Sequence, residues 1–141
     1  MRDIKIYSDL FGDGLHNGQI KWTPYVQPGR SAVDVEWLYT AEQTGPTGAE
    51  AYIAHFRPGS YGDLHEHLGY EVLLILEGEL HNDNGDRYPA GTLFVETPTS
   101  VHQVSSPTGC VALVIREKGT RPVTAADFEK TTAAAAEQGD S

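Results

Sequence analysis

His65, His67, Glu71 and His102 are the residues of this chain whose types and spacing could do chemistry. His65 and His67 stand one residue apart in the stretch GSYGDLHEHLGYEVLLILEG, residues 59–78, and Glu71 follows four residues later. On extended backbone, side chains alternate between faces, so positions 65, 67 and 71 can point the same way. Two imidazoles and a carboxylate converging from one ribbon outline a divalent-metal site. An HxH pair alone also arises from hairpin packing, and a lone strand histidine is ordinarily structural. His102 strengthens the reading, because an adjacent strand of a closed sheet would bring it across from the HxH ribbon. Three neutral imidazoles and one carboxylate would leave a divalent ion with a net charge of about +1. In octahedral geometry two positions stay open for water, dioxygen or a bidentate substrate.

The elements that must position these residues read as strands. Val33, Val35, Trp37 and Tyr39 alternate with Asp34, Glu36 and Leu38, the pattern of a half-buried strand. The loop AEQTGPTGAE follows, then a strand over 51–57 that Pro58-Gly59 is expected to end. Short apolar runs at 71–76, 92–95, 101–104 and 111–115 alternate with turn formers such as Gly78, Asn84-Gly85, Pro89-Ala90-Gly91 and Pro107-Thr108-Gly109. Many short strands at this rhythm mean an all-β antiparallel sandwich or barrel. Residues 1–30 read as an arm with little regular structure, pressed onto the body by Trp22 and Tyr25. The barrel with its arm is expected over 1–122. Residues 123–141 form a short helical tail, opened by a capping-box pattern at Thr124 and Asp127 and frayed at its end.

The bulk numbers narrow the function classes. A chain of 141 residues with 39% hydrophobic content is one globular domain with a proper core. The net charge is −10 and Lys and Arg nowhere cluster, which disfavours nucleic acid and anionic membranes as partners. No apolar run approaches a signal peptide or membrane span, so a cytoplasmic location is expected. A single cysteine, Cys110, excludes an intrachain disulfide and a thiolate cluster for zinc. It opens the apolar run VALVI and reads as a small buried hydrophobe.

The run Gly59-x5-His65-x-His67-x3-Glu71-x6-Gly78 resembles the first motif of the cupin superfamily at every defined position. The second cupin motif is present in weakened form. Gly91 and His102 keep the family spacing, the proline has slipped by one residue to Pro98, Thr99 stands where glycine is usual, and Ser106 where asparagine is usual. The resemblance implies a jelly-roll barrel, a double-stranded β-helix, with one ion per chain held by His65, His67, Glu71 and His102. A narrower likeness, from about Trp22 to Gly119, is to the cupin domain of ChrR-type anti-sigma factors. That subgroup includes stand-alone acetylacetone and dihydroxyacetophenone dioxygenases, which use non-haem iron. The anti-sigma members bind zinc and carry a further zinc-binding helical domain, whose His/Cys cluster is missing here, so a stand-alone role is expected.

Around the four ligands, Tyr61, His55, His81 and Arg57 are candidate pocket residues. Tyr61 would sit at the mouth, and His81 would either orient a substrate or water or stand exposed on the hairpin. Arg57, or Arg116, would bind a substrate carboxylate if it pointed inward. Glu77, Glu79 and Glu96 adjoin turns and are expected to be solvated. Both parities of 72–76 are apolar, so that strand should be covered on both faces, its outer face by the arm or by a second subunit, and a homodimer is expected.

The leading functional expectation is a metal-dependent enzyme acting on a small oxygenated substrate, most simply dioxygenase-type cleavage or oxidation of a diketone, hydroxyketone or enol. The alternatives are a non-redox metal-dependent isomerase or lyase, and a non-catalytic zinc-binding module serving as sensor or accessory protein. Fe(II) and Zn(II) lead the expected metals, with Mn, Ni and Cu also compatible with a nitrogen and oxygen donor set.

Overall fold

The structure, a computed structural model, describes residues 4–26, 30–62 and 64–123, apart from the side chain of Pro122. The expected helical tail lies outside the described residues beyond Val123.

The described chain is built from strands: β1 (Thr23–Pro24), β2 (Ser31–Tyr39), β3 (Glu50–Tyr61), β4 (His65–His67), β5 (Glu71–Asn82), β6 (Arg87–Pro89), β7 (Leu93–Glu96), β8 (Val101–His102), β9 (Val104–Ser106), β10 (Cys110–Arg116) and β11 (Thr120–Pro122). One sheet runs β1-β2-β3-β10-β5-β6, with β7 added to β5 and β9 bridging β3 and β5. The other runs β11-β4-β8. Every pairing is antiparallel, so the chain is an antiparallel β-barrel.

The alternation that marks β2 buries Val33 and Val35. Pro58 and Gly59 bend β3 without ending it, because Ser60 and Tyr61 regain pairing with Ser106 and Ser105 of β9. The segment read as loop between β2 and β3 holds one helical turn, α1 (Ala41–Thr44). Thr40 starts it with a capping box: its Oγ1 accepts from the Gln43 amide at 3.3 Å, and the Gln43 side chain accepts from the Thr40 amide at 2.9 Å.

On β3 the even positions face the interior. Tyr52, Ala54 and Phe56 join Val33, Val35, Leu73, Ile75, Leu80, Ala112 and Val114 in the main core. The odd positions face outward and are covered by the N-terminal arm, whose Leu15 and Ile20 pack against Ile53 and Val111. The arm thus covers part of the outer face of the sheet. Leu93, Val95 and Ile115 remain exposed there, in register with half-buried Leu74 and Val72 of β5. Among the described residues, no helix is long and apolar enough to cross a membrane.

Candidate metal centre

A row of ionisable side chains crosses four strands. Arg116 of β10 pairs in register with Glu50 of β3 on one side and Glu71 of β5 on the other, and Glu71 pairs with Glu96 of β7. Each shares parity with core residues of its own strand, Arg116 with Val114, Glu50 with Tyr52, Glu71 with Leu73 and Glu96 with Phe94, so all four point inward. The smaller sheet supplies the imidazoles. His65 and His67 project from β4 with Glu66 turned to Arg121, and His65 lies in register with His102 of β8.

The three imidazole rings form a nearly equilateral cluster, with centroid separations of 4.9, 4.6 and 4.7 Å. All three residues are buried, and their ligating nitrogens lie within 4.8 Å of one another. Hydrogen bonds at the outer nitrogens set the tautomers. The Ser100 hydroxyl donates to the Thr97 carbonyl at 2.6 Å, so its oxygen accepts from His67 Nδ1 at 3.0 Å. His102 Nδ1 donates to Asn82 Oδ1 at 3.1 Å, with Glu96 Oε1 3.4 Å away. His67 and His102 therefore carry their protons on Nδ1 and turn Nε2 lone pairs toward the cluster, the arrangement that outer partners impose on metal-ligating histidines.

Two observations test whether these residues fit a metal. His102 Nε2 and His65 Nε2 are 3.0 Å apart, and two nitrogens at about 2.1 Å from one ion and at right angles to each other would be separated by about that distance. His67 Nε2 and Glu71 Oε2 are also 3.0 Å apart, yet off the line a hydrogen bond needs, so both stay buried without a hydrogen-bond partner. Buried polar atoms are rarely left so, and a divalent cation would satisfy both. Three nitrogens and a carboxylate oxygen suit such an ion. The electrostatics agree. Burial, then the neighbouring His65 and His67, push His102 down to about 3, so it stays neutral. Burial opposes charge on both His67 and Glu71, but each outweighs that for the other, raising His67 and lowering Glu71.

His65, Glu71 and His102 open onto a cavity of about 20 Å³ walled in part by Phe56, Leu73 and Val114, room for about one water. Arg30, Tyr52 and Arg116 line the same cavity. A second, open cleft of about 320 Å³ reaches His102 from the surface beside Asn82 and Val101.

The other sequence candidates lie elsewhere. Arg57 is exposed and pairs with Asp34 at 3.6 Å. His55, on the odd face of β3, packs under Trp22 with ring centroids 5.3 Å apart. Tyr61 is 47% exposed at the end of β3. His81 bonds Glu79 at 2.6 Å and does not line the cavity. Opposite Val111 and Ala112 the pairing skips a residue of β5, and Gly78 adopts φ +77. The inward face thus passes from Leu73 and Ile75 to Leu80 and Asn82. Only glycine fits at 78, since a Cβ there would lie within 2.2 Å of the Gly109 carbonyl oxygen.

The expectation that Glu96 is solvated is also corrected. Its side chain is 15% exposed beside His102, while Glu77 and Glu79 do face solvent more freely. Burial, tempered by His67 and reinforced by Glu71, raises its pKa. Sequence reasoning missed Asn82, Ser100, Glu96 and Arg30 as site residues. Parity along 110–116 places Arg116 with Ala112 and Val114, so the sequence did carry a signal for that residue.

The family described as ChrR cupin-like domain matches residues 13–119, more than half of the chain. Similar solved structures include an acetylacetone dioxygenase from Acinetobacter johnsonii, with 13% identity, a TM-score of 0.67, and coverage of 75% of this chain and 74% of that one. The polyketide cyclase RemF from Streptomyces resistomycificus shares 16% identity at a TM-score of 0.65, covering 88% and 87%. The Rhodobacter sphaeroides complex of SigE with the anti-sigma ChrR shares 22% identity at a TM-score of 0.55, covering 69% of this chain and 48% of that one. At these identities the likeness is one of fold. No curated protein matches the chain.

Proposed function

We propose that this chain, which belongs to the ChrR cupin-like domain family, is a metal-dependent enzyme acting on a small oxygenated organic substrate, with dioxygenase-type oxidation or carbon–carbon cleavage as its reaction class. The observation that carries this reading is the buried cluster of His65, His67 and His102, each presenting Nε2 to a common centre that opens onto a cavity. His65, His67, His102 and Glu71 would hold the ion. A divalent ion bound there polarises carbonyl or enolate oxygens and, if it is redox-active, activates dioxygen.

The chain's own residues supply the rest. Ser100 and Asn82 hold the outer protons of His67 and His102, which keeps the inner lone pairs aimed. Glu96 Oε1, beside His102 Nδ1, steadies that proton further. Phe56, Leu73 and Val114 keep the reacting end of the substrate dry. The cleft beside Asn82 gives access to His102. Glu71 is assigned as a ligand and not as a general base, because its carboxylate is turned to His67 Nε2. The protein is expected to work as a homodimer, its contact formed by the exposed Leu93, Val95 and Ile115.

Elemental analysis of protein purified without chelators, followed by oxygen-electrode measurements on a panel of diketones and hydroxyketones, tests the proposal. Bound iron with substrate-dependent oxygen uptake supports it. Tightly held zinc with no turnover across the panel would replace it with the non-catalytic module. Full metal occupancy in His65→Ala, His67→Ala and His102→Ala alike would overturn the site itself.

A further inference from the structure

Arg116 stands in register between two carboxylates and bonds one of them. Its neighbours across the sheet are Glu50 of β3 and Glu71 of β5, and all three residues are buried. The guanidinium Nε donates to Glu50, and the two outer nitrogens reach the hydroxyls of Tyr52 and Tyr25 at 3.4 and 3.3 Å. Among the described residues, no hydrogen bond or ion pair joins Arg116 to Glu71, whose Oε2 lies instead 3.0 Å from His67 Nε2. Yet Arg116 and Glu71 line the same small cavity as His65 and His102.

A buried carboxylate beside a buried guanidinium ordinarily pairs with it, because charge-assisted bonds are about twice as strong as neutral ones and an unpaired buried charge is costly. The attraction is present here. Burial disfavours the charge on Arg116, but Tyr52, Glu71, Tyr25 and Glu50 outweigh it and raise its pKa, so the guanidinium stays charged. Glu50 is the competitor that wins, since it takes the Nε side with a charge-assisted bond. The tyrosine contacts exceed the usual range of about 2.7–3.2 Å and hold less strongly. The tyrosines are nonetheless fixed in place. Tyr25 stacks on Tyr52 with centroids 5.8 Å apart and planes 19° from parallel, and Trp37 meets Tyr52 edge-on at 5.0 Å. The Arg116 guanidinium lies 5.2 Å from the Tyr52 ring centre, so its place is set by groups on the side away from the imidazoles.

We propose that Glu50, seconded by Tyr52 and Tyr25, is a positioning residue for the metal centre: it holds the Arg116 guanidinium off Glu71 and so leaves the Glu71 carboxylate available to the ion. Glu50 does not line the cavity and acts only through Arg116. Without it, Arg116 would turn to the carboxylate on its other side and draw Glu71 away from His67. The inference rests on the metal-dependent reading above, because only a ligating Glu71 gives the arrangement a consequence.

Zinc affinity of the full chain, measured at pH 7.5 by competition with a chromophoric chelator, tests it. Glu50→Gln strands no charge, because Arg116 can pair with Glu71, and it should lower zinc affinity at least tenfold. Glu50→Gln combined with Arg116→Gln removes the guanidinium that captures Glu71, and should return the affinity to within threefold of the parent. A merely structural Glu50 would give the opposite order, since the double variant disturbs the core more. In the Co(II)-loaded chain, the visible absorption should change in Glu50→Gln and revert in the double variant. Should Glu50→Gln fail to fold, Tyr25→Phe, which removes one weaker hold on Arg116, should lose more than twofold, and a smaller loss there would overturn the proposal. With Glu50→Gln folded, a loss below tenfold, or a double variant outside threefold of the parent, would overturn it while the metal reading stands. A parent that takes up no zinc would overturn both.

Discussion

Replacing Asn82 with alanine should lower zinc affinity about tenfold while leaving the barrel folded, and replacing its neighbour His81 should not. Asn82 Oδ1 is the closest acceptor for His102 Nδ1, at 3.1 Å. Losing such a partly buried bond costs about 1–1.5 kcal/mol, and 1.4 kcal/mol is a factor of about ten in affinity. The loss falls at the low end of the 10–100-fold range for residues that orient metal-binding histidines, because Glu96 Oε1 waits 3.4 Å from the same nitrogen. The two acceptors can substitute for each other. Asn82→Ala combined with Glu96→Ala should therefore lose more than the two single losses added, reaching about a hundredfold. Competition with a chromophoric chelator at pH 7.5 measures the affinities, and thermal melts in excess chelator check that the metal-free fold is unchanged. His81 turns outward to Glu79, so His81→Ala should stay within twofold of the parent. An Asn82→Ala affinity equal to the parent's, or a His81→Ala loss as large as that of Asn82→Ala, would refute the face switch on β5 from which the reasoning starts.

Gly78→Ala should destabilise the protein by about 2–4 kcal/mol, combining about 1–2 kcal/mol for a left-handed backbone with the cost of moving the Gly109 carbonyl that its Cβ would strike; urea unfolding measures this, and a change below 1 kcal/mol would contradict it. In metal-free protein, His102 is held near 3 in the folded chain against an ordinary 6.5, so the unfolded chain binds the extra proton and stability should fall as pH drops from 6.5 toward 3. At pH 5 that contribution is about 2 kcal/mol, partly offset by His67, whose raised pKa acts in the opposite sense. A urea midpoint that rises from pH 7 to pH 5 would overturn this assignment, and His102→Asn should flatten the dependence. Light scattering at micromolar concentration should give the mass of a dimer, and Leu93→Glu should shift it to that of a monomer. A monomeric parent would remove the expected homodimer.

The sequence by itself determined a great deal about the centre of this protein. The spacing of His65, His67 and Glu71 follows from a two-residue alternation that holds wherever backbone is extended, and turn residues at short intervals required an antiparallel β fold. It also determined that β5 carries two apolar faces, one for the core and one for cover. Tertiary structure decided what the spacing left open. A bulge and a left-handed Gly78 break the alternation within β5, so Asn82 meets His102 and His81 does not. Cross-strand register, invisible in any one segment, places Glu96 beside Glu71 and Arg116 between Glu50 and Glu71. Arg30 and Tyr25 lie far in sequence from Arg116, and only packing brings Arg30 over the Tyr25 ring and Arg116 to the Tyr25 hydroxyl. Ligand spacing is local and survives in sequence, whereas the shape and charge of the cavity depend on long-range pairing, which one-dimensional periodicity does not encode.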